Sequence, residues 1–325
     1  MIGVREIAPA ADSVPARDSG SRSAVRLRCP RCKASLGEEQ RCSSCNFLLK
    51  EKDGILLALA PERLAYYANF IADYEHIRAA EGRGSHDKSY YLALPHQDTT
   101  GHNAGQWKIR SRSYDYLIRS VIKPSGAGED VLDLGAGNCW LSFQLARRGY
   151  RPVAVDLLTN SQDGLGAATH YQQELGASIP RFQAELSRLP FEDGQFDVVI
   201  FNASFHYSED YEITLREALR CVKRDGLVVI CDTPWYSRED SGQQMVAERR
   251  AYFCDRFHTA SDSVKSQEFL TDERLRGLGE ALSIRWTVHR PWYGWRWAMR
   301  PWVATLRKRR EPSQFRIYVA RQDGH

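Results

Sequence analysis

Val131-Leu132-Asp133-Leu134-Gly135-Ala136-Gly137-Asn138 is the stretch whose reading decides the fold. An apolar strand runs into a glycine turn, and a helical pattern opens at Trp140. Without a β-carbon, Gly135 and Gly137 permit a tight turn and a close approach of backbone to ligand. Asp156 ends the next strand, Val153-Ala154-Val155, about 20 residues on, where an acid accepts bonds from ribose hydroxyls. A dinucleotide fingerprint would need its third glycine at the Trp140 position, so the indole argues against that ligand. Asp133, just before the glycines, suits a cationic group better than a phosphate.

Working outward, short apolar strands alternate with helical stretches from Asp130 onward. Strands are expected at Val131–Leu134, Pro152–Val155, Phe196–Phe201 and Leu227–Cys231, with a weaker one near Ile179. Helices are expected near Trp140–Arg147, Leu165–Leu175 and Ile213–Val222, and later near Gln243–Phe257 and Asp272–Leu282. Such alternation implies a parallel sheet covered on both faces. Ile284–His289 and Phe315–Ala320 read as a terminal antiparallel pair. The expected fold is α/β, a Rossmann-like seven-stranded mostly parallel sheet with helices on both faces, preceded by a small zinc ribbon and a helical cap.

The pattern Asp-x-Gly-x-Gly resembles the first motif of class I S-adenosylmethionine-dependent methyltransferases, and the likeness runs from about Asp130 to Thr233. It implies that Asp133, Gly135, Ala136 and Gly137 form the cofactor loop and that Asp156, with Leu157 beside it, meets the ribose. Ala184-Glu185-Leu186, ahead of Leu189-Pro190-Phe191, matches the segment whose acid accepts the adenine amino group, so Glu185 and Leu186 join the set. Phe196-Asp197-Val198-Val199 matches the fourth strand, which ends beside the transferable methyl at Asn202. The loop's usual third glycine is Cys139 here.

Cys29-Pro30-Arg31-Cys32 and Cys42-Ser43-Ser44-Cys45 give C-x2-C-x9-C-x2-C, a spacing that brings four thiolates around zinc. Four cysteine ligands leave no open position for water, so the site is expected to be structural. The segment is similar to zinc-ribbon activators of RNA and release-factor methyltransferases, and to the module that opens some ribosomal-RNA methyltransferases. The expected organisation is a disordered leader at 1–23, a ribbon at 24–60, a helical cap at 61–125 and the catalytic domain at 126–325.

Methyl transfer from a sulfonium is an in-line displacement whose leaving group is neutral, so the protein mainly positions the acceptor and excludes water. A base is required only where the acceptor loses a proton. Asn202, His206 and Tyr207 follow the fourth strand and form the catalytic set, with His206 the candidate base because an ordinary imidazole titrates near neutrality. Arg110 and Arg112 lead into the domain, and Arg110 is assigned to the cofactor carboxylate or an acidic substrate. Trp107 and Tyr114 are expected to line the cofactor as the cap closes. The remaining cysteines, Cys139, Cys221, Cys231 and Cys254, read as packing residues.

The segment 290–312 carries Trp292, Tyr293, Trp295, Trp297 and Trp302 among Arg296, Arg300 and Lys308. The preferred reading is a substrate lid with aromatics packed inward. A membrane-surface element and a base-stacking platform compete with it, and Pro291, Pro301 and Pro312 count against a long amphipathic helix.

The 325 residues allow one large domain plus a small unit, and 42% hydrophobic with 26% charged residues is ordinary for a globular chain. A net charge of +4 implies no nucleic-acid partner by itself. No apolar run reaches the roughly 18–20 residues of a membrane span. With no export signal in Met1 to Ser23, a reducing, cytoplasmic compartment is expected. The expected function is methylation of a small or lipophilic metabolite, as in the quinone methyltransferases that share Leu189-Pro190-Phe191. RNA modification, with the ribbon and basic C-terminus gripping phosphates, is the alternative. A non-catalytic cofactor sensor is a third, against which intact Asp133, Asp156 and Glu185 count.

Overall fold

The computed structural model describes residues 25–37, 39–122 and 128–322, so the leader expected at 1–23 lies outside the described residues. Its nine strands are β1 (Lys50–Lys52), β2 (Ile55–Leu57), β3 (Asp130–Leu134), β4 (Arg151–Asp156), β5 (Arg181–Gln183), β6 (Phe196–Asn202), β7 (Val222–Cys231), β8 (Ile284–His289) and β9 (Ile317–Gln322). They form one sheet in the order β1-β2-β5-β4-β3-β6-β7-β9-β8. From β2 through β7 all neighbours run parallel, and β9 pairs antiparallel with both β7 and β8.

Alternation along the central strands explains the two cores. Leu132, Leu134, Val153, Val155, Val199 and Phe201 pack on one face. Val131, Ala154, Val198, Ile200 and Val229 pack on the other. Successive side chains of a strand point to opposite faces, so a sheet covered on both sides needs apolar residues at nearly every position.

The expectation of seven strands falls short by two. After the cysteine-bearing loops, Lys50–Leu57 folds into a hairpin whose Asp53 and Gly54 both have positive φ, and β2 adds in parallel to β5. Arg181 secures the join: its guanidinium donates to the carbonyls of Asp53 and Leu165. Arginines of the cysteine-bearing segment are also used within the chain, Arg26 on Glu192, Arg28 on Asp193 and Arg31 on Glu62. A strand of three residues carries too little pattern to be read from sequence.

In the segment expected to be a helical cap lie α1 (Pro61–Ala80), α2 (Lys88–Ala93) and α3 (Ala104–Tyr116). Pro61 stands in the first turn of α1, where its missing N–H costs nothing. Around the sheet lie α4 (Trp140–Arg147), α5 (Gln172–Leu175), α6 (Tyr211–Cys221), α7 (Glu239–Phe257) and α8 (Asp272–Leu282). Asp210 caps α6 by accepting from the Ile213 amide, and Thr271 caps α8 by accepting from the Arg274 amide. Between β8 and β9, α9 (Trp295–Ala298) and α10 (Arg300–Leu306) occupy the aromatic and basic segment. Among the described residues no helix is long and apolar enough to cross a membrane.

Candidate active site

The carboxyl ends of β3, β4, β6 and β7 meet beneath α1 and α3 around a cavity of about 450 Å3. This is the edge at which open α/β sheets bind ligands. At its floor, the turn after β3 is fixed by backbone bonds: Gly135 and Ala136 both donate to the Val155 carbonyl. The Gly137 amide donates to Asp156 Oδ2 at 2.7 Å, and the Leu158 amide to Asp156 Oδ1 at 2.8 Å. Gly135 and Gly137 have φ of +73° and +52°, which glycine adopts freely. Cys139 replaces the usual third glycine yet keeps the left-handed backbone, with φ +62°. A side chain is thus held in a conformation that costs about 1–2 kcal/mol.

Asp133 is buried beside this turn. Its Oδ2 accepts from the Ser142 hydroxyl of α4, and its Oδ1 has no partner. Burial raises its carboxyl to about 7 against the opposing Ser142 bond. Asp156 is pushed up to about 6 by burial, although the backbone amides of Leu158 and Gly137 favour its charge. Both acids therefore sit near the pH at which a cationic ligand would ionise them fully.

Asp133, Gly135, Ala136, Gly137, Asp156, Leu157, Leu186, Asn202, His206, Tyr207 and Arg110 all line the cavity, as their positions in the sequence suggest. Arg110 has no carboxylate within ion-pair distance among the described residues; its guanidinium lies 5.0 Å over the Trp107 ring. Burial and the nearby positive charges of Arg83 and Arg78 lower its pKa. A cation so placed suits an incoming carboxylate.

Three expectations need correction. Glu185 is not among the residues that line the cavity. Its carboxylate is gripped by Arg63 of α1, Nη2 to Oε2 at 2.6 Å, and accepts from Tyr67 at 3.2 Å, so it anchors the cap to the sheet. Trp107 and Tyr114 turn away from the ligand space and pack edge-on against Trp140, at 5.8 and 5.6 Å between ring centroids. The cap lines the cavity through Phe70, Tyr74, Arg78, Ile109 and Arg110.

His206 does face the cavity, but burial and the charges of Arg249 and Arg110 drive its imidazole down to about 3. It is a neutral, weakly basic group, and its buried Nδ1 has no partner. Tyr207 packs against Tyr74 and Phe70 of α1, at 5.5 and 6.3 Å.

Two groups escaped the sequence reading. Asp232, just beyond β7, lines the cavity with its Oδ1 accepting from Ser113 and its buried Oδ2 unpartnered. Burial raises its carboxyl to about 6, opposed by the Ser113 bond and the Arg110 charge. Its place at the carboxyl edge of a central strand was a usable signal. The second is the ion pair of Arg78 with Asp163, which joins residues 85 apart in sequence and left no local signature.

Toward the N-terminal end of the described residues, the four sulfurs of Cys29, Cys32, Cys42 and Cys45 lie within 4.8 Å of one another. Cys29 Sγ and Cys45 Sγ are 3.5 Å apart, and those of Cys32 and Cys42 3.3 Å.

Residues 132–230 match the family profile described as a methyltransferase domain. The demethylmenaquinone methyltransferase of Mycobacterium marinum is 32% identical over 123 residues, covering 38% of this chain and 49% of that one. The malonyl-acyl-carrier-protein O-methyltransferase of Geobacter sulfurreducens is 27% identical over 157 residues, 48% of this chain and 52% of that one. The chain spans about half the length of these curated relatives. Phosphoethanolamine N-methyltransferase 2 of Haemonchus contortus, solved with S-adenosyl-L-methionine, superposes with a TM-score of 0.47 at 15% identity, covering 66% of this chain and 53% of that one. With the sheet order and the glycine turn already described, residues 132–230 are similar to a methyltransferase domain in both sequence and strand arrangement.

Proposed function

We propose that this chain is an S-adenosylmethionine-dependent methyltransferase acting on a small, lipophilic acceptor. The observation that carries the reading is the cavity itself, in which an unpartnered carboxylate oxygen of Asp133 and the lone guanidinium of Arg110 face a space with both polar and apolar walls. Those charges match a ligand with cationic and carboxylate groups, and Phe70, Tyr74, Trp297 and Phe315 supply aromatic walls for an acceptor. The relatives named for demethylmenaquinone support the same class of substrate.

When bound, the cofactor supplies an electrophilic methyl on a positively charged sulfur. The chain's own residues do the rest. Gly135, Ala136 and Gly137 let the backbone approach, Asp156 with Leu157 and Leu186 takes the nucleoside end, and Arg110 pairs with the carboxylate. Asn202 and Tyr207 fix the acceptor's approach, and α1 and α3 exclude water, which is where most of the rate gain in such a displacement arises. Asp232, more basic than an ordinary carboxylate, accepts the proton from a hydroxyl or carbon acid. His206, neutral throughout the physiological range, offers a hydrogen bond.

The cysteine cluster fits zinc: a tetrahedral ion with bonds of about 2.3 Å sets its sulfurs about 3.8 Å apart, close to the spacing found. Its role is structural, holding the ribbon against the sheet.

The reading is tested by incubating the chain with methyl-labelled cofactor and fractionated lipid, metabolite and RNA extracts. Label entering a lipid or metabolite fraction supports it; label entering only RNA, or none, contradicts it.

A further inference from the structure

Six of the eleven large apolar side chains that stand exposed among the described residues fall within residues 292–306: Trp292, Trp295, Met299, Trp302, Val303 and Leu306. Trp295 and Trp302 are each 77% exposed and Leu306 is 85% exposed. Four of them, at 295, 299, 302 and 306, recur at helical spacing and share one face. The face is continuous because Pro301 sits in the first turn of α10, where proline is tolerated. The amide of Met299 donates to Trp295 and that of Val303 to Met299, carrying α9 into α10. The prolines therefore do not interrupt the amphipathic pattern, and most of the tryptophans point outward, contrary to the inward-packed lid expected from sequence.

Positive charge flanks this face. Arg296, Arg307, Lys308 and Arg309 have no carboxylate within ion-pair distance among the described residues. With Arg300 they surround a second, shallow cavity beside α10. Trp297 is the exception to the outward set. It stacks on Phe315 at 5.5 Å, and both line the large cavity. One short segment thus presents an apolar, basic surface outward and a wall of the cavity inward.

We propose that α9 and α10 dock the chain onto an anionic lipid bilayer. The tryptophans and Leu306 enter the headgroup boundary and the arginines meet lipid phosphates, the arrangement by which interfacial helices bind. Charge complementarity selects the bilayer: an apolar protein partner would leave the cationic rim unpaired. Docking does not depend on the methyltransferase reading, although it would bring the cavity mouth to where lipophilic acceptors dissolve.

The experiment is co-sedimentation of the full chain with phosphatidylglycerol-containing vesicles and with pure phosphatidylcholine vesicles, in low and high salt. The wild type should partition onto the anionic vesicles and be released by salt. Trp295→Ser, Trp302→Ser and Leu306→Ser combined should weaken binding by at least about tenfold, since each removes apolar area from the lipid. Arg307→Glu with Arg309→Glu should weaken it similarly and flatten the salt dependence. Thermal melting and cofactor titration of the variants, unchanged because none of these side chains lines the cavity, separate this test from the enzyme reading. Absence of wild-type binding to anionic vesicles, undiminished binding by the apolar variant, or capture of single-stranded RNA in place of vesicles would overturn the proposal.

Discussion

A β-carbon placed on Gly135 would stand 2.2 Å from the β-carbon of Ser204, and the Ser204 hydroxyl donates to the Leu134 carbonyl just before that glycine. The turn after β3 and the segment after β6 are thus locked together by the absence of a side chain. Gly135→Ala should force them apart while also straining a φ of +73°. The expected result is a loss of about 2–3 kcal/mol in stability and of measurable cofactor binding, read by thermal melting and calorimetry.

Asp232 and His206 make opposed predictions. Asp232→Asn keeps the Ser113 contact but removes the proton acceptor, so cofactor affinity should hold while turnover falls about 100-fold or more. His206→Ala should reduce turnover modestly, since an imidazole held at about 3 has little basicity to lose. Single-turnover methyl transfer with the identified acceptor checks both.

The buried acids set the pH dependence. Asp133 at about 7, and Asp156 and Asp232 at about 6, hold protons in the folded chain that the unfolded chain has released. Their contribution to stability is present below about pH 4 and is lost as pH rises through 6 to 7. His206, depressed to about 3, acts oppositely: its contribution is present above the ordinary imidazole value and is lost toward pH 3. A cationic cofactor binds the ionised forms of Asp133 and Asp156, so its affinity should rise between pH 5.5 and 7.5, by about tenfold per unit for each proton released. Titrations in buffers of different ionisation enthalpy count those protons.

The sheet and its turn were legible because the central strands are mostly apolar, interrupted at few positions, and the glycines stand at fixed spacing. Val131–Leu134 and Phe196–Phe201 fall where expected. The two ribbon strands were not legible, because three residues at an edge carry no periodicity. The fate of Glu185 depends on Arg63, 122 residues away, and no local pattern announces such a partner. The basicity of His206 was not legible for a related reason: it is set by burial and by Arg249 and Arg110, which reach it through the tertiary fold.

Metal removal offers a test of the ribbon. Because β2 extends the main sheet and Arg26 and Arg28 tie the ribbon to Glu192 and Asp193, zinc loss should disturb more than the ribbon itself. Chelation, or Cys29→Ser, should release about one zinc per chain and lower the melting temperature measurably, with the shift reversed by added zinc only in the wild type.

The central claim is that the turn at 134–139, with Asp133 and Asp156, holds an adenosyl sulfonium. Calorimetric titration of the folded chain with S-adenosylmethionine tests it most directly. A saturable one-to-one heat, abolished by Gly135→Ala and retained by Asp232→Asn, is the predicted result. No heat from the intact protein, or equal heat from the Gly135→Ala chain, would contradict it.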